Sequence, residues 1–247
     1  MRIIGDKNLQ RYVGDKPVVA RYIGNKKVFE EKWVVRGAIH RFCGVDNVGA
    51  GVHDSYGTNW TDIIGGVQAT LQNVSWTDNS ALFAGNADAK ITYAGQNVRD
   101  YTIISTHKTE GYIGAHPRIW GEMPYPSLFI NTNVGVYGFY GQGKDTTFTP
   151  RISSKIGEKI HTTMRYAHGQ NKVELFVNGV KATEVTGVTA APGDVDMMTI
   201  GARPTTNDRT FHGEFYEHAV YSVALTDEEI MQNFRVSNRT YGIEVGL

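Results

Sequence analysis

The chain has 247 residues, and its 25 Lys and Arg balance its 25 Asp and Glu, so nothing in its net charge points to a nucleic-acid partner. A single cysteine, Cys43, excludes an intramolecular disulfide. No stretch reaches the ~18 apolar residues of a membrane span and the N-terminus has no secretion-type apolar run, so synthesis in a reducing cytoplasm without membrane insertion is expected.

Charge is unevenly placed: residues 1–36 carry nine Lys and Arg against four Asp and Glu. The same stretch repeats itself, with Gly5, Gly14 and Gly24 each preceded by Ile or Val and followed by Asp or Asn and then Lys. Such triplets suit hairpin turns, because Gly tolerates positive φ and Asp or Asn bonds its own backbone. The spacing predicts a meander of three or four short strands, too small to be stable alone. Its apolar face must rest on the following domain, on other copies of the chain, or on a larger assembly. Its lysines either meet an acidic surface or guard exposed strand edges. The repeat is similar to N-terminal segments of phage tail and capsid surface proteins.

From Val34 onward, 28 glycines and 13 tyrosines in the whole chain and one clear helix signal point to an all-β body with many tight turns. Tyr101–Ser105 carries β-branched residues on both faces, as a strand buried on both sides requires. The middle, 106–150, is dense in Gly, Pro and aromatics. Strands are expected near 118–120, 127–130 and 135–140, separated by turns and loops of the kind in which binding usually resides. Ile160, Thr162, Met164 and Tyr166 line one face of a later strand, a loop at 169–171 returns the chain, and Asn178-Gly179 is a strong two-residue hairpin signal. In 211–221 the apolar pattern has period two, placing Phe215, Glu217, Ala219 and Tyr221 on one face and Tyr216, His218 and Val220 on the other. The period then changes. Thr226 with Glu229 forms a capping box, Leu225 can staple onto Ile230, and a short helix starts at Asp227 with Ile230 and Phe234 as its apolar stripe.

Four separated motifs resemble the laminin-G-like domains of the concanavalin A-like lectin and glucanase superfamily. They are Gly44-Val45-Asp46-Asn47 with Trp60 and Asp62, Leu82-Phe83-Gly85-Asn86-Asp88, Leu175-Phe176-Val177-Asn178-Gly179, and the strand–helix closure from Gly213 to Ile230. The resemblance implies an antiparallel jelly-roll β-sandwich over 37–247, with 1–36 as an attachment or oligomerisation segment. It also implies a calcium ion on Asp46, Asn86, Asp88 and Glu217, although the same side chains serve equally well as backbone-bonding turn residues. Where the family often has an acid, this chain has Cys43.

For sugar binding, flat aromatics with polar neighbours are wanted. Tyr112, Arg118, Trp120, Tyr125 and Tyr140 in the middle segment are the candidates, with a core role as the competing reading for Trp120 and Tyr140. His40, His161 and His218 fall in strands and are read as hydrogen-bonded structural residues. A glycosidase of this superfamily would show paired acids on one face of one strand, and no such run occurs; Glu214 and Glu217, three apart, are expected to face opposite ways. The chain is therefore expected not to be an enzyme. The expected role is that of a phage virion surface protein. Residues 1–36 would dock it on capsid or tail proteins as a homo-oligomer, with the sandwich adhering to glycans or, alternatively, only decorating the particle.

Overall fold

The computed structural model describes residues 12–13, 16–17, 20–23, 26–45, 57–95, 99–112, 114–123, 127–141, 144–148, 153–188, 197–203 and 209–243. Two small hairpins come first, β1 (Tyr12–Val13) with β2 (Lys16–Pro17) and β3 (Ala20–Ile23) with β4 (Lys26–Glu30). Gly14 and Gly24 fall between these paired strands in sequence and, like Gly5, lie outside the described residues. The body continues with β5 (Ala38–Cys43), β6 (Asn59–Thr61), β7 (Gln68–Gln72), β8 (Ser75–Trp76), β9 (Ala81–Phe83), β10 (Lys90–Ala94) and β11 (Tyr101–Tyr112). Then come β12 (Arg118–Met123), β13 (Ser127–Asn131), β14 (Val136–Gly141), β15 (Lys144–Thr147), β16 (Lys159–Ala167), β17 (Lys172–Val177), β18 (Val180–Thr186), β19 (Met197–Ile200), β20 (Phe211–Tyr221) and the helix α1 (Asp227–Tyr241).

These strands form two antiparallel sheets stacked as a jelly-roll sandwich. The site sheet runs β15-β14-β13-β12-β19-β10-β7-β6, and the helix sheet runs β18-β17-β16-β11-β20-β9-β8 with β5 also on β20. Their inner faces meet in one core that includes Phe42, Trp60, Phe83, Trp120, Leu128, Tyr137, Phe139, Leu175, Ile200 and Phe215. Two smaller clusters lie outside the helix sheet, where α1 packs Ile230, Phe234 and Tyr241 against strand residues such as Ile104, Phe176, Ala219 and Tyr216.

Local chemistry explains the punctuation. Asn178 and Gly179 both adopt positive φ, 50° and 76°, as the tight turn between β17 and β18 demands. The capping box closes as expected, with Thr226 accepting from the Glu229 amide and the Glu229 carboxylate accepting from the Thr226 amide. The helix is longer than a single apolar stripe allows, because Asn233 and Ser237 are buried on it as well. Asn233 donates to the Tyr221 hydroxyl and Ser237 to Glu217, so polar contacts extend the packed face.

The strands expected in the middle segment appear as β12, β13 and β14, which with β15 run consecutively in the site sheet. One expectation fails for a physical reason: the alternation of β20 breaks. Its register against β11 slips between Thr106, opposite Glu217, and His107, opposite Phe215. Tyr216 is the extra residue of a bulge. Phe215 therefore points into the core, while Tyr216 and Glu217 both point outward, to Tyr241 and Ser237 of α1.

Candidate functional site

On the site sheet, the side chains that alternate with the core residues face outward. Between inward Leu128 and Ile130 stands outward Phe129; beside inward Tyr137 and Phe139 stand outward Gly138 and Tyr140. Gly138 lies opposite Phe129, and a Cβ there would sit 2.3 Å from the ring's Cζ. Glycine thus lets the Phe129 ring lie across β14. Arg118, opposite Phe129 on the other side, places its guanidinium carbon 4.7 Å from that ring's centroid and 5.8 Å from that of Tyr140. His116, held at φ 56°, meets Phe129 edge-on at 5.3 Å.

Ser127 completes the group. It lies opposite Tyr140 on one side and opposite Gly121, which has no side chain, on the other. The serine is 5% exposed, and its hydroxyl has no hydrogen-bond partner among the described residues. A buried, unsatisfied hydroxyl costs about 1–3 kcal/mol, so such a group usually marks a place that water or a ligand fills. Next across the sheet, the Thr199 hydroxyl is already spent on the carbonyl of Ala202 at 2.8 Å. The arrangement offers a partly buried aromatic ring, a buried stacked cation and one hydroxyl without a partner among the described residues, on adjacent strands. That set can hold a small polar ring by stacking and hydrogen bonding.

The sequence candidates divide. Arg118 and Tyr140 come together in this group. Trp120 is fully buried on the opposite face, because the β12–β13 register slips between Arg118 and Trp120 and turns Ile119 and Trp120 both into the core. Tyr112 is in β11, with its side chain outside the described residues, as are Tyr125 and Asp46 entirely. Phe129, Ser127 and His116 were not singled out from sequence. The alternation Ser127-Leu128-Phe129-Ile130 beside Gly138 was the available signal, masked by the apolar character of Phe129.

The calcium set does not converge. Glu217 is buried and accepts from Arg41 Nε at 2.9 Å and from Ser237 Oγ at 2.6 Å. Asn86 and Asp88 lie in the turn after β9, whose Phe83 stands opposite Gly213, four residues and roughly 13 Å along β20 from Glu217. Among the described residues no three His, Cys, Asp or Glu side chains gather as a metal site. Glu217 and the Asn86–Asp88 turn are thus not brought together, and Asp46 lies outside the described residues.

The buried histidines are structural, as expected. His40 bonds Asp62 at 2.9 Å, His161 bonds Thr106 at 3.0 Å, and His218 bridges the two sheets between Tyr93 at 2.7 Å and Ser105 at 2.9 Å. Burial alone would push the Asp62 carboxyl up, yet His40 and the amides of Arg41, Ile64 and Gly65 together hold it below the usual range.

Sheet order, closure by β20 and α1, and an outward aromatic group define a lectin-like sandwich. Residues 125–231 match the family model described as the concanavalin A-like lectin/glucanases superfamily. No curated protein matches the sequence. Among solved structures, the Trypanosoma rangeli sialidase is similar over 82% of this chain at 16% identity and a TM-score of 0.64; the chain spans 33% of that enzyme's length. Domain 4 of AbnA, a GH43 extracellular arabinanase from Geobacillus stearothermophilus solved with arabinotriose, is similar at 15% identity and a TM-score of 0.59, covering 79% of this chain and 97% of that domain. The binding domain of botulinum neurotoxin DC, solved with SialylT, is similar at 11% identity and a TM-score of 0.57, covering 81% of this chain and 51% of that one. At these identities the likeness speaks for the fold.

The expectation that the chain is not an enzyme is not supported by the comparisons, whose likeness to sialidases at 16% identity speaks for the fold alone. Sialidases are among the structures that share its fold, one of them solved as a covalent intermediate. The geometric argument behind it also fails, since the Tyr216 bulge puts Glu214 and Glu217 on the same outward face: Tyr216 bonds Glu214 and packs on Tyr241, while Glu217 bonds Ser237 of the same helix.

Proposed function

We propose that the chain is a glycan-binding sandwich whose contact face is the outward group of Arg118, Ser127, Phe129 and Tyr140. The observation that carries this reading is the Ser127 hydroxyl, buried and without a partner among the described residues, beside a partly buried tyrosine and a stacked arginine. A sugar ring lying on Tyr140 supplies the apolar C–H face that the phenol prefers, and its hydroxyls supply the missing partner for Ser127. The arabinanase domain with its arabinotriose and the toxin domain with SialylT support the class of ligand.

The setting we propose is the surface of a phage particle. Support comes from the basic Gly-Asp-Lys and Gly-Asn-Lys repeat of residues 1–36, which is similar to virion surface segments and forms hairpins that need a larger body to rest on. In this reading the N-terminal segment docks on capsid or tail proteins, as a homo-oligomer, and the sandwich meets glycans outside. A glycan array probed with the full chain tests the ligand, with released sugar read in the same wells. Hits that vanish in Tyr140→Ala support the reading, and an array without hits removes it.

A further inference from the structure

Residues 31–36, assigned from sequence to the attachment segment, are tied along α1 from Glu229 to Arg239. Arg36 grips Glu229 through its Nε at 2.8 Å. The Val34 amide donates to Asn233 Oδ1 at 2.9 Å, and the Val34 carbonyl accepts from the Tyr221 hydroxyl at 3.0 Å. Gln232 donates to the Lys32 carbonyl at 2.7 Å. Glu31, 7% exposed, pairs through both oxygens with Arg235, and its carbonyl accepts from Arg239 at 2.7 Å. The contacts advance from 229 to 239 as the chain recedes from 36 to 31, so this strap lies antiparallel to the helix. Trp33 and Val34 enter the apolar cluster beneath it, and Arg41 stacks on the Trp33 ring at 4.3 Å.

We infer that residues 31–36 form a rigid bracket that fixes the N-terminal segment to the helix side of the sandwich, away from the Arg118–Ser127–Tyr140 face. β4 ends at Glu30 and Glu31 is already pinned, so no slack residue separates the hairpin from the bracket. A partner that takes hold of residues 1–30 therefore sets which way the sandwich points, with the outward face of the site sheet on the side opposite α1. The expected boundary after residue 36 consequently falls inside the folded body. The geometric half of this inference stands whether or not the site binds sugar. What rests on the glycan reading is only that the presented face is a sugar-binding one.

The test measures a distance in the full chain. Nitroxide labels are placed at Lys32→Cys, on the bracket, and Thr70→Cys, exposed on the outward face of the site sheet; Cys43 is fully buried and escapes labelling. Two sheets about 10 Å apart with a helix layered on one of them put the labels more than ~20 Å apart. A single narrow distribution beyond that distance, broadened several-fold by Glu31→Ala with Arg36→Ala while the melting transition stays cooperative, is the expected result. A broad distribution in the parent, a peak below ~20 Å, or a width unchanged by the double substitution overturns the bracket. Loss of glycan hits with the distances intact would instead remove the proposed ligand and leave the bracket standing.

Discussion

The two outward faces of this sandwich are built to opposite specifications. On the helix sheet, polar groups are tied to one another: Arg41 to Glu217, Glu217 to Ser237, Asn233 to Val34 and Tyr221, and Arg165 to Glu174 and Asp227. The Trp33 indole N–H is an exception. On the site sheet, an arginine stacks on two aromatic rings beside a buried hydroxyl with no partner among the described residues. A face whose charges are internally satisfied holds the molecule together; a face with an unsatisfied group and a partly buried ring is set up to meet something else.

The largest expected effect concerns three buried histidines, His107 and His218 in the core between the sheets and His161 beneath α1. Burial pushes His218 and His161 down to about 3 and His107 to about 4. Folding keeps all three neutral, while the unfolded chain protonates them below their ordinary 6.5, so their contribution is complete above that pH and is lost as pH falls toward 3–4. Glu174 adds to this at the acid end. Burial would raise it, but Lys181, Lys172 and Arg165 outweigh that and hold it at about 2, so its contribution fades from 4.5 downward. Three extra protons in the unfolded state correspond to a slope on the order of 4 kcal/mol per pH unit. Urea midpoints should be flat above pH 7 and collapse between 6 and 4. A midpoint unchanged from 7 to 4.5 would mean that these histidines are not held neutral.

Next in size is the helix face. Glu217→Ala strands Arg41, only 14% exposed, without its carboxylate, a change that costs about 3–5 kcal/mol. Removing residues 1–36, in contrast to residues 1–30, strips the bracket from α1, leaving Arg235 without Glu31 and Asn233 Oδ1 without the Val34 amide, and should lower the melting temperature by a similar order. Neither change should alter glycan affinity measured below the new transition. If Glu217→Ala abolished binding while the fold survived, the division between the two faces would be wrong.

How far the sequence revealed this division follows from where the periods are clean. The Thr226–Glu229 box and the Asn178-Gly179 turn depend on neighbours along the chain, and both appear where expected. The faces of β12 and β20 depend on single inserted residues, Ile119 and Tyr216, whose only cause is register against a strand distant in sequence. Such a slip reverses every assignment beyond it, which is why Trp120 was nominated for the surface and Glu214 and Glu217 for opposite faces. Ser127 was illegible for another reason: an unsatisfied hydroxyl is a property of its surroundings.

Smaller effects are expected on the site face. Gly138→Ala sets a methyl group 2.3 Å from Phe129 Cζ, so the ring must leave its place across β14. Overpacking of this kind costs about 1–3 kcal/mol, and binding should fall by more than the stability loss implies, since Phe129 backs Arg118. Titration calorimetry with whichever array glycan binds best reads the affinity, with thermal melts read in parallel. Wild-type affinity with a displaced melting point would show that the ring's position does not matter to the ligand.

The subtlest change separates the two faces most cleanly. Replacing Ser127 by Ala removes an oxygen that has no partner among the described residues, so stability should hold or rise by up to about 1 kcal/mol. On the helix face no polar truncation should do that, because Ser237→Ala deprives Glu217 of a 2.6 Å hydrogen bond and must destabilise. If a sugar hydroxyl occupies the Ser127 position, Ser127→Ala should weaken binding about 5- to 10-fold, the equivalent of one neutral hydrogen bond, while melting no earlier than the parent. A loss of stability in Ser127→Ala without loss of affinity would mean that the hydroxyl serves the fold through a bound water, and the site face would then be built like the other.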